Sequence, residues 1–222
     1  MSSLDRKLRG MSLPSRVLLV FSLTVVCLLV ARFLGATLQK YIHVDAATYG
    51  MFWTRRTWLW MHIGGGTLAM LLGPTQWLSQ MPRAWPRLHR WIGRAYFVGI
   101  LVACAGAAAL IATTPAGLAF QLAFGSTALA WLSTGLIALV AIRRKHTQAH
   151  RRWMLRNYIV TLSPITFRLA LPGAIPLAPP DVLIPTLLWL SWLLPLGLLE
   201  SGRWIGKALR RGPIRLPSGR RA

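Results

Sequence analysis

"HRWIGRAYFVGILVACAGAAALIATT" occupies His89–Thr114. Basic residues crowd its start, and after Arg94 no charged residue occurs until Arg143. A bilayer core of about 30 Å needs about 20 mostly apolar residues per helix. The stretch Trp91–Thr113 meets that length, and "TTPAGL" then turns the chain into a second apolar run, Leu118–Ile142. Outward from this pair, four more segments qualify: Val17–Leu38, Thr57–Leu78, Met154–Pro172 and Val182–Glu200. The expected fold is all-α, a polytopic membrane bundle of six transmembrane helices over residues 17–200, with basic tails at 1–16 and 201–222.

The composition agrees with a membrane protein. Hydrophobic residues make up 55% of the chain and charged residues 14%, well below the ~25% of a soluble domain. Asp5, Asp45, Asp181 and Glu200 are the only acids, so the formal charge is +22. Such a balance fits either nucleic acid or membrane topology, and position decides. The cations cluster between apolar runs, which is the membrane pattern, and nucleic acid is not needed as a partner. The amino tail holds Arg6, Lys7, Arg9 and Arg16; the second-to-third connection holds Arg83, Arg87 and Arg90; the fourth-to-fifth reads "RRKHTQAHRR"; the carboxy tail adds Arg203, Lys207, Arg210, Arg211, Arg215, Arg220 and Arg221. In a six-helix chain these share one side. The other side keeps Lys40, Arg55 and Arg56, with Arg32 and Arg168 near helix ends. The positive-inside rule then places both termini in the cytoplasm. Membrane lipids are the expected partners, with anionic lipid drawn to the basic face; a membrane-complex partner or a second copy also fits. The first run reads as a signal peptide too, since basic residues precede it and "FLGA" resembles a cleavage site, but its length favours a retained anchor. Cys27 and Cys104 lie in apolar runs and have no disulfide or zinc spacing.

Packing is expected along small residues. Ala95, Gly99, Ala103 and Ala107 recur every four residues in the third span, as do Ser126, Ala130, Thr134 and Ala138 in the fourth. Such stripes let lipid-embedded helices approach closely, and the short turn between the two spans predicts that the stripes face each other. Gly73-Pro74 predicts a kink or end of the second span. Trp77, Trp85, Trp91 and Trp153 fit an interfacial aromatic belt.

One phrase occurs twice. "HRWIGRAY" spans His89–Tyr96, and "HRRWMLRNY" spans His150–Tyr158. Each stands at the cytoplasmic mouth of an odd-numbered span. Anchoring explains the Arg and Trp, which belong at headgroup depth. It does not explain a His in both copies. The alternative is a shared site: His89 and His150 as axial ligands of haem b or ligands of a metal, with Arg90, Arg94, Arg151 and Arg156 pairing with propionates. The same cluster also suits a lipid phosphate or another anion. His146 lies one helical turn before His150 and reads as a solvated loop residue or as the second member of a metal pair.

The opposite half has its own polar set: His62 in "MHIGGGTLAM", Gln121 at the start of the fourth span and Arg168 near the end of the fifth. Arg or His in a span tends to face the bundle interior or a cavity. Snorkelling for Arg168 and a helix–helix hydrogen bond for His62 are the plainer readings. Gly64–Gly66 permits close approach of a helix or a flat ligand. No nucleophile–base constellation is visible, so no reaction is assigned. The absence of mid-membrane carboxylates and of an inverted repeat weighs against a small-molecule carrier.

"MHIGGGTLAMLLGPTQWL", "LHRWIGRAYFVGIL" and "AHRRWMLRNYIVTLSPITFRLALP" resemble, in order, the motifs of the bacterial predicted-membrane-protein family called domain of unknown function 2306. That resemblance implies a multi-pass membrane protein and no agreed activity. A looser likeness in helix order is to cytochrome b561-type haem proteins, which implies one haem between the second and fourth helices and another between the third and fifth. His62, His89 and His150 match the second, third and fifth positions; the fourth helix carries Gln121 and no His. Three functions follow as expectations: a redox-type protein with haem b or a metal at His89 and His150, a non-enzymatic subunit or lipid- and anion-binding protein, and a carrier.

Overall fold

The protein was studied as a computed structural model, which describes residues 12–78, 86–115 and 117–210. Among the described residues seven helices carry the architecture: α1 Leu13–Lys40, α2 Arg56–Leu78, α3 Pro86–Thr113, α4 Leu118–Arg143, α5 Thr147–Thr161, α6 Ser163–Ala174 and α7 Pro180–Arg210. One helical turn, Ala46–Tyr49, and a 3-10 turn, Gly50–Arg55, link α1 to α2. No strand occurs among the described residues. The expected Arg83 and Trp85 lie outside the described residues, as do Arg6, Lys7 and Arg9 of the amino tail and the cations beyond Arg210.

The expectation of six spans is met only in part. Four described helices are long and apolar enough to cross a membrane: Val20–Lys40 within α1, then α3, α4 and the Pro180–Leu209 part of α7. A fifth crossing results if α5 and α6 count as one span, bent by 41°. The bend has a local cause. Ser163-Pro164 starts a new helix, and proline lacks the N–H that would bond back across the break. The second predicted span does form a helix of sufficient length, but His62, three glycines, Pro74 and Gln76 dilute its apolar content. α2 also runs through Pro74 to Leu78, so Gly73-Pro74 does not end it. At the other end, α7 continues past Glu200 to Arg210, making the start of the expected tail helical.

The stripes of small residues exist but meet partners other than those expected. The α3 stripe packs on α2. A Cβ added at Gly65 would lie 2.5 Å from the Gly99 carbonyl oxygen and 2.6 Å from the Ala103 nitrogen, and one at Gly106 would lie 2.6 Å from the Trp58 oxygen. The two backbones are therefore in contact, which only glycine allows. The α4 stripe faces α5 and α7: Thr134 meets Asn157, and Ser126 meets Trp189. A buried cluster of Ala69, Tyr96, Ile100, Ala103, Trp131, Tyr158 and Val160 joins α2, α3, α4 and α5. α1 lies outside this core: 11% of its apolar window is buried, against 28% for each of the other three long apolar spans.

Two connections are tightly built. Arg55 donates to the Thr113 carbonyl at 2.8 Å and to Thr114 Oγ1 at 3.1 Å, closing the carboxy end of α3. After α4, His146 N–H bonds to the Ala141 carbonyl at 2.9 Å and Lys145 N–H to Ile142 at 3.0 Å. This is the paired closure of a Schellman turn, with Lys145 at φ 60° where glycine is usual.

Candidate functional site

The doubled phrase folds the same way twice. In each copy an Arg follows a Trp by three residues, which on a helix brings the two side chains together. The Arg94 guanidinium stands 4.9 Å from the Trp91 ring centre, and that of Arg156 stands 4.7 Å from Trp153. Both are cation–π contacts. Two residues further on, each copy buries a Tyr. Tyr96 donates to Asn157 Oδ1, and Tyr158 donates to the Met70 carbonyl at 3.2 Å. The Tyr158 ring lies over Gly73, where a Cβ would clash at 2.1 Å. Each copy thus runs from an Arg–Trp stack near the helix mouth to a Tyr strut against a neighbouring helix.

The histidines precede these stacks. His150 Nδ1 is 2.8 Å from the Ala138 carbonyl oxygen. A carbonyl only accepts, so Nδ1 carries the proton and Nε2 of the neutral ring is left as acceptor or ligand. His89 is half-buried, and its own carbonyl accepts from Gln76 Nε2 at 3.2 Å. His150, Arg151 and Arg90 all act electrostatically on the His89 ring. α3 and α5 therefore bring both imidazoles and two guanidiniums to one end of the bundle. Arg156 is engaged differently. It pairs with Glu200 on α7 at 2.9 Å, and Arg203 shares that carboxylate at 3.2 Å. Among the described residues Glu200 is the only acid in an ion pair, and none pairs with Arg90, Arg94 or Arg151. His146 is exposed at the amino end of α5, and no group of three or more metal-binding side chains occurs among the described residues. The donors would suit an imidazole-bound iron with guanidiniums on its propionates. Neither His89 nor His150 lines the cavity of about 380 Å³ in the bundle.

That cavity lies in the half away from the doubled phrase. His62 and Arg168 both line it. Gln121, expected at the same depth, does not. His62 Nδ1 is 3.1 Å from the Ala103 carbonyl, which fixes its tautomer as at His150. Arg168 reaches Thr37 Oγ1 at 3.4 Å and stacks 4.6 Å from the Phe33 ring, both on α1. Of the three adjacent glycines, Gly65 is closed against α3, whereas Cβ atoms at Gly64 and Gly66 would meet nothing within 4 Å.

Sequence reasoning passed over the polar centre of the protein. Asn157 is fully buried. Its Nδ2 donates to the Trp131 carbonyl at 2.7 Å and to Thr134 Oγ1 at 2.9 Å, while its Oδ1 accepts from Tyr96. Trp131 Nε1 donates to Thr161 Oγ1 at 2.8 Å. Tryptophans of α7 do the same to α4: Trp189 to Ser126 at 2.7 Å and Trp192 to Thr127 at 3.0 Å. No buried side-chain polar atom among the described residues lacks a partner. The available signal was an amide inside an apolar span, which is stable there only when hydrogen-bonded.

No curated protein and no solved structure matches the chain, and the helix-order likeness to cytochrome b561 proteins rests on histidine positions alone. The model of the family described as predicted membrane protein, DUF2306, matches residues 59–200. That range contains both copies of the phrase, the Asn157 network, His62 and Arg168, and the chain belongs to this family.

Proposed function

We propose that the protein is a multi-pass component of a bacterial inner membrane that holds an anionic ligand, such as a lipid phosphate, between the starts of α3 and α5. In this reading α1, α2, α3, α4, the bent α5–α6 pair and α7 make six crossings, with both termini and the doubled phrase cytoplasmic. One observation carries the binding role: His150, Arg151 and Arg90 lie close enough to act electrostatically on the His89 ring, and no carboxylate among the described residues pairs with these two guanidiniums. Guanidinium pairs phosphate by two parallel hydrogen bonds, and an imidazole whose Nδ1–H is already given to a carbonyl binds a phosphate oxygen only as imidazolium, through Nε2–H. Mass spectrometry of the protein released from lipid nanodiscs tests this. Wild type should retain a phosphate-bearing lipid that Arg151→Gln and His150→Ala lose. Equal retention by all three proteins would sink the proposal.

Haem b bound through both imidazoles is the second reading, favoured by the Nδ1 bond of His150, which orients Nε2 as a metal ligand. Absorption spectra of oxidised and reduced protein decide it, since a Soret band lost in His150→Ala would replace the anion by haem. Reporter fusions after Ala46 and after Ala174 should report the outer side; a cytoplasmic signal from either would break the six-crossing topology.

A further inference from the structure

The cavity of about 380 Å³ falls in the size range of small-molecule sites, and the ion-binding face proposed above does not use it. Its walls are mostly apolar, with Leu34, Leu59 and Phe124 among them, but His62 and Arg168 also line it. Among the described residues Arg168 has no carboxylate partner, only a long hydrogen bond to Thr37 and the Phe33 ring. Arg168 is exposed on one side and lines the cavity on the other, so its guanidinium is placed to receive an anion there. The His62 ring is equally selective. With Nδ1–H given to the Ala103 carbonyl, Nε2 accepts and asks for an O–H from the ligand. α1 supplies Phe33, Leu34 and Thr37 to the wall and is the least enclosed of the long apolar spans, so this wall is the one least held by the rest of the bundle.

We infer that the cavity binds a single-chain amphiphile with a singly ionised phosphate monoester head: anionic oxygen on Arg168, P–O–H toward His62, and hydrocarbon against the apolar walls. A phosphate monoester has its second pKa near 6, so the singly ionised form is available near neutral pH. A diester carries the same single charge but no O–H, and an alcohol carries neither charge nor acid.

The test uses full-length protein in neutral detergent, with thermal unfolding followed by helical circular dichroism. Decyl phosphate should raise the midpoint saturably. Decyl methyl phosphate should bind about tenfold more weakly, the loss of one good hydrogen bond, and decanol should have no saturable effect. Arg168→Gln should abolish the shift. Gly66→Leu should too, because a side chain there meets no neighbour and enters the cavity; Gly64→Leu, at an open position outside the lining, is its control. His62→Phe should erase the preference for monoester over diester. His150→Ala should leave the shift intact. No saturable shift in wild type, or a shift that survives both Arg168→Gln and Gly66→Leu, overturns the inference. Loss of the shift in His150→Ala moves the ligand to the other end of the bundle and overturns it equally.

Discussion

α2 and α3 are held together by absence, α4 and α5 by hydrogen bonds. In the first pair Gly65, Gly99 and Gly106 remove side chains so that backbone meets backbone. In the second pair Asn157 reaches across to Trp131 and Thr134. Lipid tails are as apolar as leucine, so burial of apolar surface does little to drive helices together within a bilayer. Close dispersion contact and interhelical hydrogen bonds remain, and this protein uses one in each half of its core. The two devices should fail differently. A glycine contact tolerates no added atom, whereas a hydrogen bond is lost in increments.

Gly65→Leu should be the most damaging change. Its side chain meets two main-chain atoms that cannot move independently, and a loss of about 3 kcal/mol or more is expected, read as low yield and a depressed unfolding midpoint. Asn157→Leu comes next. It removes three hydrogen bonds worth about 0.6 kcal/mol each in a membrane bundle, giving about 2 kcal/mol in the same assay, and Asn157→Gln should recover little because no space exists for the extra methylene. Glu200→Gln should cost less still, at most about 1 kcal/mol, since the Arg156 and Arg203 contacts are partly exposed; raised salt should erase the difference from wild type. Lys145→Gly should act in the opposite direction, stabilising by about 1 kcal/mol by relieving a left-handed backbone. Gly64→Ala should be near neutral. If Gly64→Ala and Gly65→Ala proved equally harmful, the contrast between the two helix pairs would collapse.

Much of this was legible from residue order, and the limits have physical causes. Apolar runs and basic connections gave the helices, because bilayer thickness and charge translocation act on local sequence. "GGG" announced close approach, but which glycine is needed depends on the rotation of α2 against α3, a long-range property. The stripes in α3 and α4 were visible, yet their partners were misassigned. Chain proximity through "TTPAGL" makes helices neighbours without deciding which face each presents. The repeated phrase signalled matched local geometry, and Trp91–Arg94 and Trp153–Arg156 do repeat it. Asn157 was hidden by its own position, between the Arg and Tyr of that phrase, where it read as a spacer. The cavity was announced in part by His62 and Arg168, which line it as polar residues at matched depth should; the mostly apolar remainder of its wall, drawn from all seven helices, has no linear signature.

The peripheral position of α1 also bears on how the chain is made. α1 leaves the ribosome well before α6, the helix that offers it Ile165 and Arg168. During that interval α1 has few protein surfaces to lean on, so it must be held in the lipid by its own partitioning. That requirement accounts for large apolar side chains around its whole circumference, with Leu18, Phe21 and Leu28 still facing outward in the finished fold. A helix selected to survive alone during biogenesis is also one that can swing aside afterwards without being extracted, and in this protein that helix forms one wall of the cavity.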